Sequence, residues 1–110
     1  MATTFKTLGQ VQPSTTSNAD LYTVGAGKSA IISTLHACNT TANPVTIRAF
    51  VRIGGASAAA SNAMVYDLQV PANGVYGFTE GITLAATDVL TVQAGTANAV
   101  TFHAWGQENS

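Results

Sequence analysis

Between Val45 and Ile53 the residues Val45, Ile47, Ala49, Val51 and Ile53 alternate against Thr46, Arg48, Phe50 and Arg52. A period of two places the first set on one face of a β-strand and the second set on the other, whereas a helix would scatter the same five side chains around its circumference. One face is therefore apolar and needs a second layer to cover it. The rest of the chain repeats this pattern in short pieces. Leu21–Val24 is a short strand stopped by Gly25-Ala26-Gly27, and Ser29–Asn39 is a longer one whose Ala30–Leu35 run is apolar on both parities, as in a strand covered on two sides. Met64, Tyr66, Leu68 and Val70 alternate against Val65, Asp67 and Gln69, and Asn73-Gly74 then signals a hairpin back through Val75–Thr79. Ile82–Leu84, Val89–Ala94 and Ala99–Gly106 complete the set.

Seven or eight short strands at this spacing predict an all-β domain, a two-sheet antiparallel sandwich of jelly-roll or Greek-key type. The alanine-rich connection 54–61 opens on two glycines, which allow no more than a turn of helix. Residues 1–19 are rich in Thr, Ser and Gln, contain Pro13 and hold neither period, so they read as an extended N-terminal arm ahead of a sandwich domain spanning 20–110. Phe5, Leu8 and Val11 are the arm's apolar residues and the ones expected to dock on a neighbouring surface.

Charge narrows the function classes. Only 8 % of the 110 residues are charged, against roughly a quarter in an ordinary soluble domain. The surface is then built from neutral polar and small residues, which suits a chain that makes contacts with other subunits, and a homo-oligomer is expected. With Lys6, Lys28, Arg48 and Arg52 as the whole basic complement and a net charge of −1, no phosphate-backbone footprint exists and nucleic acid is not an expected partner. No apolar run approaches the roughly 20 residues of a membrane span, and no leader-like segment is evident, so folding in the cytoplasm is expected. The single cysteine, Cys38, forms no internal disulfide and reads as a buried thiol.

Two outward rows are candidate contacts. On the central strand Arg48, Phe50 and Arg52 place an aromatic between two guanidiniums, a row suited to a carboxylate from another chain. Arg52→Ala is accordingly expected to leave folding nearly unchanged, while Ile47→Ala removes core. In the last strand Val100, Phe102 and Ala104 take the core face, so His103 and Trp105 point outward; Trp105 either meets another subunit or lies under the arm of its own chain.

Constellations for chemistry are sparse. Gly25–Ser29 resembles a phosphate loop only superficially, because Tyr22 stands where the first glycine belongs and a strand follows. His36, Cys38 and His103 are three soft ligands without paired-ligand spacing. Ser33, His36 and Asp67 can be drawn as a triad, yet no nucleophile elbow is present. Asp67, Glu80 and Asp88 lack the pattern of a glycosidase pair, and Asp88 fits a turn where its carboxylate accepts a backbone N–H. No enzyme activity, metal or cofactor is expected.

Several segments together resemble a small β-sandwich domain of tailed-bacteriophage virion proteins: Leu8-Gly9-Gln10 with Pro13, Leu21–Val24 with the Gly-Lys turn, Ser33-Thr34-Leu35 leading to Cys38-Asn39, Ile47-Arg48, Gly54-Gly55-Ala56, Tyr66-Asp67, Pro71-Ala72-Asn73, Thr96-Ala97-Asn98 and, most specifically, Gly81–Val89. The resemblance implies a structural place in the virion. A short, nearly neutral chain with a polar arm is similar to capsid cement or decoration proteins, which implies the major capsid protein or other virion proteins as partners and a trimer as the oligomer. A tail, neck or fibre component that meets host glycan or receptor is the alternative.

Overall fold

The computed structural model describes residues 2–110. In chain order its strands are β1 (Thr3–Val11), β2 (Ala19–Thr23), β3 (Ser29–Asn39), β4 (Val45–Arg52), β5 (Ala63–Val70), β6 (Val75–Phe78), β7 (Ile82–Leu84), β8 (Val89–Ala94) and β9 (Val100–Asn109). One antiparallel sheet runs β1-β9-β3-β6, with β7 pairing on the same strand β3, and the second runs β2-β8-β4-β5. The pairs β1–β9, β2–β8, β3–β6 and β4–β5 are nested, as in one long hairpin folded over on itself, and that is a jelly roll. The sandwich expected from strand spacing is therefore present, with one more strand than the seven or eight anticipated.

Alternation decides which side chains fill the space between the sheets. Ile32, Leu35, Phe102 and Ala104 enter from the first sheet, and Ile47, Ala49, Leu90 and Val92 meet them from the second. β4 keeps its phase from Val45 to Ala49 and ends at Arg52, so Ile53 leaves the strand for a 3-10 turn and is 75 % exposed. β5 does not keep the expected phase. Its buried residues are Val65 and Val70, an odd number apart, because Asp67 is an extra residue at φ 56° that the ladder steps over. Tyr66, expected in the core, turns out to solvent as a result.

The N-terminal segment is extended, but it is no free arm. Thr3–Val11 pairs with β9 of its own chain, from Thr3 opposite Asn109 to Val11 opposite Phe102, and Ala2 and Ser110 exchange two backbone hydrogen bonds beyond it. Gly9 makes this possible. A Cβ there would sit 2.1 Å from the Leu21 carbonyl oxygen, so only glycine lets β1 close over β2. Leu8 and Val11 are partly buried and pack against the core of the same molecule, so the expected arm is built into the first sheet.

The turn at Asn73-Gly74 also differs from expectation. Asn73 does take a positive φ, but β5 and β6 lie in different sheets, so the turn carries the chain from one layer to the other instead of closing a hairpin. Asn39 anchors it. That side chain is 1 % exposed; its Nδ2 donates to the carbonyls of Asn43, Val70 and Pro71, and its Oδ1 accepts from the Thr41 amide and hydroxyl. The turn at Asp88 behaves as the sequence predicts, its two carboxylate oxygens accepting the Gly54 and Ala85 amides, each at 2.9 Å.

Candidate functional site

The face of the first sheet that looks away from the core carries the candidate site. β3 and β9 are its two interior strands, joined in register from Ser29 opposite Asn109 to Asn39 opposite Val100. Their outward side chains include Ile31, His36 and Cys38 from β3, and His103, Trp105 and Gln107 from β9; β1 adds Phe5 and Gln10 alongside. Trp105 sits at the centre. Its ring stacks on His103 at 5.5 Å and 16°, and lies 5.4 Å from His36 at 41°. The two imidazoles are ladder partners with ring centres 6.2 Å apart.

Beside this cluster runs a groove of about 410 Å³ lined by Phe5, Ile31, Ser33, Trp105 and Gln107 among others. Its shape comes from a bulge. The register of β3 against β9 slips between Ile32 and Thr34, leaving Ser33 outside the ladder, where its hydroxyl donates to the Trp105 carbonyl at 3.0 Å. Opposite, Gly106 brings the backbones close enough that a Cβ would lie 2.0 Å from the Ile31 oxygen. Phe5 at 78 % and Ile31 at 41 % exposure flank the groove as uncovered apolar groups. A smaller polar hollow of about 220 Å³ on the second sheet is lined by Thr46, Arg48, Asp67 and Gln93 with Thr16 and Gly95.

The charged side chains are spent on each other, including Lys6, which lines the groove. Arg48 makes a two-pronged contact with Asp67, Nε to Oδ1 at 2.7 Å and Nη2 to Oδ2 at 3.1 Å, while its guanidinium carbon lies 4.0 Å over the Tyr66 ring. The Asp67 hydrogen bonds hold that carboxyl below its ordinary range, and they raise Arg48 in turn. Arg52 donates to Asp20, to Thr91 and to the carbonyls of Gly55 and Ala56. Glu108 gathers Lys6 at 3.4 Å, Lys28 at 3.7 Å and the Tyr22 hydroxyl. The Tyr22 hydrogen bond, helped by the two lysines and opposed by burial, lowers Glu108; burial and the same carboxylate push the Tyr22 phenol up. Asp88 caps its turn, so Glu80 alone of the nine charged side chains has no ion-pair or side-chain hydrogen-bond partner among the described residues.

Of the eight residues expected to make contacts, Phe5, His103 and Trp105 come together on this face. Phe50 does not: it is 3 % exposed, on the outward parity of β4 but buried with its edge against Tyr66. Arg48 and Arg52 find their carboxylates within the chain, correcting the expectation of a partner's acid. Ile31 joins this face unanticipated, while Ser33 and His36, weighed in the sequence only for metal or triad chemistry, sit here beside Trp105. The Ala30–Leu35 run read as a strand covered on both sides, but only one side is covered, and the signal was the apolar residue left without a layer. Ser33, His36 and Asp67 cannot form a triad, since Asp67 lies in the other sheet. Gly25–Ser29 is a turn feeding β3.

No family model matches the chain, and no curated protein does. Among solved structures, the chain is similar to one titled "Structure of infectious bursal disease virus Gx strain", with a TM-score of 0.44 and 12 % identity. The match covers 97 % of this chain and 32 % of that one, so the chain spans about a third of that neighbour's length. A likeness of this size carries no argument about function.

Proposed function

We infer that the chain is a structural subunit of a bacteriophage virion, a cement or decoration protein that stabilises the shell by bridging capsid subunits through the outer face of its first sheet. The observation that carries this reading is the self-compensation of charge: eight of nine charged side chains are committed within the chain, while Phe5, Ile31 and Trp105 stay uncovered on one face. Such a surface holds a partner by apolar and neutral polar contact, which suits permanent assembly. Aromatic residues, Trp above all, are enriched at the energetic centres of interfaces. The resemblance of the sequence to tailed-phage virion domains supports the same setting. Each copy contributes modest area, yet many copies that bind assembled shell and not free subunits stabilise it together by mass action.

The test is the number of copies in purified virions relative to the major capsid protein. A ratio near one supports shell decoration, whereas a few copies per hundred capsid subunits would overturn it. A second reading has one observation behind it: the groove has Trp105 and Phe5 along it with Ser33 and Gln107 as polar neighbours, the chemistry of a sugar site on a tail or fibre subunit. Jelly rolls serve lectins as well as capsids. Binding to a glycan array, lost in Trp105→Ala, would favour that reading.

A further inference from the structure

We propose that His36 and His103 form a two-histidine chelate for a divalent transition-metal ion, a site independent of the virion reading. The sequence places these residues 67 positions apart, and the fold sets them directly opposite each other on two interior strands. Such strands hold their side chains more rigidly than loops do.

The spacing fits a shared ion. With a metal–nitrogen distance of about 2.0–2.1 Å, an ion lies roughly 3.2 Å from each ring centre, so two rings on one ion have centres up to about 6.4 Å apart and about 5.2 Å apart at a tetrahedral angle. The observed 6.2 Å falls inside that limit and about 1 Å beyond the tetrahedral value, so the two rings must turn toward each other to share an ion. Ligand chemistry agrees. The Gln10 side-chain amide lies 3.3 Å from His103 Nδ1, and its oxygen and nitrogen ends are interchangeable by a flip. With the oxygen turned toward Nδ1–H, the amide fixes the tautomer that leaves Nε2 free to bind, the second-layer support typical of metal-bound histidine. His36 Nδ1 is buried without a hydrogen-bond partner, so turning that ring to bring a nitrogen to the ion breaks no hydrogen bond at this atom.

Neutral nitrogen donors select ions such as Ni²⁺, Cu²⁺ and Zn²⁺ over Mg²⁺ or Ca²⁺. All four basic side chains are paired with carboxylates, including Lys6, which lines the groove beside Trp105 and is neutralised by Glu108. Among the described residues no group of three His, Cys, Asp or Glu converges, so water fills the remaining positions and the site is an open one.

The experiment uses the untagged chain at pH 7.5, titrated with Ni²⁺ alone while the fluorescence of Trp105, the only tryptophan, is followed; Zn²⁺ binding is read by calorimetry. The expected result is saturable quenching with one ion per chain. His36→Asn and His103→Asn each abolish saturable binding while circular dichroism shows the fold retained, and Gln10→Ala weakens it about 10- to 100-fold. Cys38→Ser leaves it unchanged. Non-saturating quenching, equal affinity in either histidine variant, or loss of binding in Cys38→Ser would each overturn the proposal.

Discussion

Arg48 and Arg52 stand two residues apart on one strand and look equivalent in the sequence, yet the structure gives them different weight. Arg48 meets an exposed carboxylate, and such pairs contribute little to stability. Arg52 holds Asp20, the carbonyls of the following turn and Thr91, whose side chain is fully buried. Truncating it removes several hydrogen bonds at once, although Asp20 is half exposed and Thr91 keeps its own hydrogen bond to Asp20. Arg52→Ala is therefore expected to cost about 1 kcal/mol in urea unfolding, the net scale of hydrogen bonds whose partners stay solvated, with a smaller effect for Arg48→Ala. This is somewhat more than the near-silence expected for Arg52 from strand parity alone. Asn39→Ala removes five hydrogen bonds inside a buried turn and is expected to cost at least about 2 kcal/mol in the same assay. Ile47, 3 % exposed in the core, keeps its expected loss of about 2–5 kcal/mol on truncation to Ala.

At the scale of elements, the bulges decide which faces are presented. The slip at Ser33 and the close passage at Gly106 let β3 and β9 turn Ile31 and Trp105 outward while Ile32 and Leu35 stay inside. Gly106→Ala drives a Cβ into the Ile31 backbone and should lower the melting temperature markedly, whereas Gly77→Ala, with open space around it, should leave it nearly unchanged. The junction of β1, β2 and β9 carries a pH dependence. Glu108 is held below its ordinary range in the folded chain, so its contribution is present above the unfolded carboxylate range and lost as pH falls. Tyr22 is raised, so its contribution is present below the ordinary phenol value of about 10 and lost as pH rises past it. Melting temperature against pH should therefore show a plateau bounded on both sides, and Glu108→Gln should flatten the acid limb.

For the whole molecule, the balance of charge and the uncovered face make separable predictions. Phe5 and Ile31 are exposed, at 78 % and 41 %, so Phe5→Ser with Ile31→Ser should cost little stability, within about 1 kcal/mol for the pair. The same double variant should lose attachment to particles in a co-sedimentation assay if the outer face is the contact. Retained attachment would move the contact elsewhere on the chain.

What the sequence determined by itself is local. Period-two patterning identified most strands and the core faces of β4 and β9, because a side chain's face follows from its neighbours two residues away. The Asp88 turn was legible for the same reason, since Ala85, whose amide it accepts, is three residues away, whereas its contact with the Gly54 amide is long-range. Only the tertiary structure decided that the N-terminal segment closes on β9, that Asn73-Gly74 crosses between layers, and that Phe50 is covered. It alone placed His36 against His103 beside Trp105. In a jelly roll nearly every pairing joins strands distant in sequence, so register, bulges and what lies over each face are set by contacts that no local window contains.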